Sequence, residues 1–135
     1  MIMSVKKEIA KVSGHLILEI EAKTLKEVNF TPKNVGDTFT LLEKDLADIT
    51  SIGESVFWGC TGLTAIAIPD SVESIGSRAF FGCSSLTSVT IPDSVTSIGE
   101  SVFWRCTSLT AIAIPDSVES IGSRAFLGCS SLTSV

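Results

Sequence analysis

Four cysteines, Cys60, Cys83, Cys106 and Cys129, recur every 23 residues, and three aspartates, Asp70, Asp93 and Asp116, recur at the same interval. Thiolates and carboxylates bind metals or react, so their spacing decides what they can do. Structural zinc needs four ligands converging on a point, and no Cys-x-x-Cys pair occurs. A constant interval of 23 lays the sulfurs out in a column instead. Neighbouring rungs of a column approach the Cα separation of a disulfide, but parallel side chains do not readily reach its dihedral of about 90°. The expectation is four free, buried thiols filling core space. The aspartate column carries oxygen ligands of the kind calcium takes. The plainer expectation is that each aspartate caps its own turn through a local side-chain to backbone bond. His15 is the only histidine, which removes a two-histidine metal site, and no serine-nucleophile motif or phosphate-cradling glycine loop occurs. No catalytic residue, metal ligand or cofactor is assigned, and the chain reads as a non-enzyme.

The columns imply a repeating element that carries them. Aligned on itself, the chain gives "IGESVFWGCTGLTAIAIPDSVES" from 52, "IGSRAFFGCSSLTSVTIPDSVTS" from 75, "IGESVFWRCTSLTAIAIPDSVES" from 98 and the unfinished "IGSRAFLGCSSLTSV" from 121. A fixed period in this range marks a solenoid. Within one unit Ile52, Val56, Phe57, Cys60, Leu63, Ile66, Ile68 and Val72 are apolar, and the other units refill these slots with apolar residues; they must point inward. The segment Leu63-x-x-Ile66-x-Ile68 alternates and is β-branched, so it reads as a strand, ended by Pro69-Asp70-Ser71 because proline cannot donate to a ladder. Val72 to Ile75 suits a second short extended piece, and Glu54 to Trp58 has room for about one helical turn. One unit is one coil, and no coil can bury its apolar face alone, so stability must come from stacking.

The order L-x-x-I/V-x-I-P-D-S-V-x-x-I-G-x-x-A/V-F-x-G-C resembles the BspA-like leucine-rich repeat, over about 84 of the 135 residues. That resemblance implies a β-rich solenoid with short parallel strands, one or two per 23-residue coil, and brief helical turns. It also implies surface adhesion or host-protein binding, and a cell-surface or secreted location. Two features depart from pattern: Pro69-Asp70 stands where the commoner leucine-rich repeat has an asparagine ladder, and Arg105 stands where the other units have glycine. If that slot needs positive φ, arginine there costs about 1 kcal/mol or more.

The expected division is a degenerate capping region over 1–51 and a solenoid over 52–135, with units 52–74, 75–97, 98–120 and a partial unit 121–135. In the first region "HLILEIE", 15–21, reads as an edge strand. "LKEVNFTP" echoes the repeat with Leu25 in the Leu63 slot, and "DLADITSI" aligns Ile49 with Val72. A helix over Val5–Val12 fits the spacing of Val5, Ile9 and Val12. At the other end the sequence stops at Val135 in mid-strand. The expectation there is either a continuation or an open edge able to pair with another molecule.

A formal charge of −5 disfavours nucleic acid and anionic lipid as partners. No apolar run reaches the roughly 18 residues of a membrane span, and Met1 to Ala22 lacks a secretory signal. Glu54 and Glu100 alternate along the repeat with Arg78 and Arg124, which keeps like charges from stacking directly. Two surfaces remain as binding candidates. One is the slot after the inward phenylalanine, Trp58, Phe81, Trp104 and Leu127, expected to form an apolar stripe or to fold back over the core. The other is the outward face of the longer strand, Ala65, Ala67, Ser88, Thr90, Ala111 and Ala113. The function expected is a protein-binding or adhesion scaffold. The alternative is a structural solenoid forming homo-oligomers through its C-terminal edge or aromatic flank.

Overall fold

A computed structural model describes the backbone of residues 4–11, 14–21, 24–32, 39–41, 46 and 48–134, with side chains at Thr24, Leu25 and Leu46 and throughout 48–134. The repeats form coils whose two extended pieces build two parallel ladders. The shorter pieces are β5 (Ser51–Ile52), β7 (Ser74–Ile75), β9 (Ser97–Ile98) and β10 (Ser120–Ile121). They pair in parallel at the repeat register, Ser51 with Ser74 and Ser74 with Ser97. The longer pieces, β4 (Phe39–Leu41), β6 (Leu63–Ala67) and β8 (Ser88–Thr90), form a second sheet in that order. A parallel bridge between Ala111 and Ser134 carries the same face onward. The fold is thus the β-rich solenoid implied by the period. Among the described residues no helix is long and apolar enough to cross a membrane.

The amino-terminal strands depart from expectation. The strands β1 (Ser4–Lys11), β2 (Gly14–Glu21) and β3 (Thr24–Pro32) pair as an antiparallel meander rather than as degenerate coils. The proposed helix is therefore strand β1; Val12 lies outside the described residues. Spacing of i, i+4 and i+7 is met by three residues alone, too few to outweigh pairing along a neighbouring strand. The 15–21 segment is not an edge, because β2 lies between β1 and β3. Leu25 aligns with Ile52 in a parallel pair with β5, not with the Leu63 slot, which Phe39 of β4 fills. The error has a clear source, since Leu-x-x-Val-x-Phe fits either ladder by pattern and only pairing chooses. The second alignment fares better: Ile49 N–H donates to Leu46 O at 3.5 Å, as Val72 N–H donates to Pro69 O at 3.0 Å.

Coil-to-coil distance is set at a glycine column. A Cβ built on Gly76 would lie 2.8 Å from the Glu54 nitrogen, and one on Gly99 would lie 2.6 Å from the Ser77 nitrogen. No side chain fits there, so adjacent coils touch backbone to backbone. Inside, Phe57, Phe80 and Phe103 are fully buried and stack in register. Their ring centroids are 5.1 and 5.4 Å apart and their planes within 3° of parallel. Leu63, Leu86 and Leu109, and Ile68 with Ile91, form parallel columns in one apolar core, joined at the first coil by Leu25, Leu46 and Ile49. Each fully buried side chain of this size contributes roughly 1.5–3 kcal/mol.

Candidate interaction surface

The residues with reactive chemistry are built into the stack. All four cysteines are free, Cys83 and Cys106 fully buried, Cys60 and Cys129 half-buried. Three of the thiols donate back to the preceding coil: Cys83 Sγ to Phe57 O at 3.1 Å, Cys106 Sγ to Phe80 O at 3.1 Å, and Cys129 Sγ to Phe103 O at 3.0 Å. Burial pushes Cys60 up to about 11 and Cys106 up to about 12, and raises Cys83 and Cys129 as well. A thiol held protonated is a poor nucleophile and a poor metal ligand. The column is packing with a hydrogen bond attached.

Asp70, Asp93 and Asp116 are exposed on successive turns. Each turn is closed by main chain, Val72, Val95 and Val118 N–H donating to Pro69, Pro92 and Pro115 O at 3.0–3.2 Å, rather than by the aspartate cap expected. The neighbouring serine ties the coils instead, Ser94 Oγ donating to Val72 O at 2.7 Å and Ser117 Oγ to Val95 O at 2.8 Å. Ser71, in the first coil, has its Oγ buried without a partner. The side chain of His15 lies outside those described. Among the described residues no three His, Cys, Asp or Glu side chains group as a metal site.

The flank after each inward phenylalanine is where apolar surface reaches solvent. Two sharp turns per coil place it there. Ser55, Arg78, Ser101 and Arg124 all adopt φ of 58–60°, and Gly59, Gly82, Arg105 and Gly128 adopt 62–78°. The first of these left-handed slots was not legible, because serine and arginine carry no signal for it. The second was, through its glycines. Between the two turns Phe57 points in and Trp58 points out. Trp58 is 54% exposed and Leu127 50%, with Phe81 and Trp104 half-buried between them. Trp58 packs on Phe81 with centroids 4.8 Å apart and a 34° tilt, and Phe81 on Trp104 at 5.1 Å and 54°. The three rings are thus in tilted contact from coil to coil and run along the flank as one ridge, with Leu127 in the same slot of the next unit.

Ion pairs link adjacent coils. Arg78 pairs with Glu54 at 3.7 Å and Arg124 with Glu100 at 3.9 Å. Both pairs are exposed, so they set register more than they stabilise. On the second sheet Ala65 and Ala67 are half-buried, whereas Ser88, Thr90, Ala111 and Ala113 are exposed. That face has no large side chain to anchor a partner. Near its far end an open groove is lined by Val89, Ala111, Ile112, Ala113, Ile114 and Ser134.

The fold recurs in known proteins. The profile of the BspA type leucine rich repeat region (6 copies) matches residues 42–135. A leucine-rich repeat protein from Bacteroides capillosus is similar in structure, with a TM-score of 0.68 and 29% identity over 94% of this chain and 96% of that one. The leucine-rich repeat protein of T. pallidum is similar at TM-score 0.57 and 25% identity over 86% of this chain, which spans 65% of that protein. One from Bacteroides ovatus has TM-score 0.58 and 28% identity over 98% of this chain and 39% of its own. No curated protein sequence matches. With that profile matching residues 42–135, the chain belongs to the BspA-type leucine-rich repeat family.

Proposed function

We propose that this chain is a non-enzymatic protein-binding module that engages its partner along the ridge Trp58, Phe81, Trp104 and Leu127. The observation that carries the reading is the 54% exposure of Trp58 at one end of a line of ring contacts with Phe81 and Trp104. Leucine-rich repeat proteins generally mediate protein–protein interaction, and large exposed aromatics are frequent anchors. Repetition adds area and avidity, one rung per coil. Residues 1–51 act as the cap of a solenoid over 52–135. The small-residue face of Ala65, Ala67, Ser88, Thr90, Ala111 and Ala113 stays a secondary contact. Adhesion at a cell surface is the finer role that the family resemblance supports.

The test is retention of the chain on immobilised host extracellular proteins, compared with a Trp58→Ser, Trp104→Ser double variant of unchanged melting temperature. Loss of retention in the variant supports the ridge; equal retention removes it. Light scattering on the same samples addresses the structural alternative. A concentration-dependent oligomer, lost on substitution at the ridge or at the C-terminal edge, would make self-association the function.

A further inference from the structure

The two ladders of the solenoid are not equally continuous. Between the coils 75–97 and 98–120 the shorter ladder is closed, Ser74 pairing with Ser97 and Ile75 with Ile98. The aromatic flank is closed as well, with Phe80 N–H donating to Val102 O at 3.0 Å and Gly82 N–H to Trp104 O at 2.8 Å. On the longer ladder the same two coils part. At the junctions on either side, Thr87 N–H donates to Thr64 O and Thr133 N–H to Thr110 O, both at 2.9 Å. Ile68 N–H likewise donates to Thr90 O, and Ile112 N–H to Ser134 O, both at 3.2 Å. Shifted by one coil into the middle junction, these bonds would join Thr110 N–H to Thr87 O, Ile91 N–H to Ala113 O and Val89 N–H to Ala111 O. None of the three forms among the described residues, and β8 pairs with β6 alone.

This seam is bounded at both ends. Ser108 Oγ donates across it to Ser84 O at 2.6 Å, and Ser117 Oγ to Val95 O at 2.8 Å. Between those ties lies the open groove of the second sheet, about 480 Å³ in volume, with Val89 on one side and Ala111 to Ile114 on the other. That size falls within the roughly 300–1,000 Å³ of ligand sites. Val89 and Ile91 are only 7% and 8% exposed, so their N–H groups are largely sheltered from water and yet unpaired. Backbone groups so placed are costly to leave without partners, and unpaired strand edges take up further strand.

The lining specifies the occupant. Two facing edges that offer main-chain donors and acceptors at strand spacing are satisfied by extended polypeptide. No titratable side chain lines the groove, and a charge placed there would lose water without gaining a partner. Val89 and Ile112 are buried, whereas Ser88, Thr90, Ala111 and Ala113 are exposed. A strand sharing that pleat sets an apolar residue inward at every second position and a small or hydroxyl residue outward between them. We propose that the seam between β8 and residues 109–114 binds an uncharged, extended polypeptide segment of alternating β-branched apolar and hydroxyl residues, held by main-chain hydrogen bonds to the two open edges. The site uses no residue of the ridge, and substitution of Trp58 leaves it untouched.

The experiment follows backbone amide exchange by NMR on the whole chain, alone and with the capped peptide acetyl-Thr-Val-Thr-Val-Thr-Val-amide. In the free chain the amides of Val89, Ile91 and Thr110 should exchange at least about tenfold faster than their paired counterparts at Ile112, Ile68 and Thr87. Saturating peptide should slow all three. Lysine in place of the central valine of the peptide, or N-methylation of its valine amides, should each weaken binding at least about tenfold, the first by adding charge and the second by removing donors. Ala111→Lys with Ala113→Lys, both at exposed positions, should abolish binding at unchanged melting temperature. Protection of the three amides in the free monomer equal to that of their counterparts would mean a closed seam and overturns the proposal. So does peptide that leaves their exchange unchanged, or N-methylated peptide that binds as well as the parent. A homodimer in light scattering whose three amides are already protected also overturns it, since a second copy would then hold the seam.

Discussion

The ring of Phe80 lies 5.4 Å from that of Phe103, with the planes 2° from parallel. Phe57 stands at 5.1 Å on the other side. Phe80 is therefore a middle rung with aromatic contact above and below and no access to solvent. Replacing it by alanine leaves a cavity that the rigid coils cannot close, and should cost about 3–5 kcal/mol. Urea unfolding of Phe80→Ala with a midpoint equal to the parent's would contradict the inward column.

Two glycines of different slots should respond differently to the same change. In Gly99→Ala the new methyl meets the Ser77 nitrogen at 2.6 Å, backbone against backbone, so the coils must part. In Gly59→Ala it meets nothing within 4 Å, and the only penalty is a φ of 69°. That penalty is about 1–2 kcal/mol. Gly99→Ala should lose clearly more, or fail to fold, whereas Gly59→Ala should fold with a modestly lower midpoint. Circular dichroism melts of the pair measure the difference.

Arg105 holds a φ of 62° where its counterparts are glycine. Arg105→Gly should relieve strain of about 1 kcal/mol, partly offset by the greater freedom of glycine in the unfolded chain. The expected net effect is a small rise in melting temperature, readable by calorimetry. A fall would mean that the Arg105 side chain, which lies against Gly128, contributes more than its backbone costs.

The thiols give a pH dependence of known sign. Burial holds Cys60 at about 11 and Cys106 at about 12, against about 8.5 in an unfolded chain. Below about pH 8 both states keep the proton, and this part of the stability is fully present. Above the unfolded value the unfolded chain releases protons that the folded coils retain, so stability falls as pH rises toward the folded values. The slope approaches about 1.4 kcal/mol per pH unit for each such thiol. The urea midpoint should drop between pH 8 and pH 10, and Cys83→Ala with Cys106→Ala should flatten that drop. In the native state at pH 8, Cys83 and Cys106 should resist alkylation; rapid labelling of all four cysteines would show that the column is open.

The interval of 23 was enough to place Phe57, Phe80 and Phe103 in one inward column, to make the cysteines a column and not a cluster, and to give the coil its two extended pieces. Apolar periodicity and turn residues are local properties, and stacking copies of one unit repeats whatever the first copy does. The exposed slot of Trp58 was also legible, because its neighbour Phe57 points in. Three things were decided only by tertiary contact. The strand β1 and the register of Leu25 depend on which chain lies alongside, which a short apolar pattern does not specify. The left-handed turns at Ser55 and Arg78 are imposed by the coil's need to reverse, against the preference of those residues. The ring contacts that turn Trp58, Phe81 and Trp104 into one ridge come from the close approach of coils at Gly76 and Gly99, where backbone meets backbone and no side chain stands between.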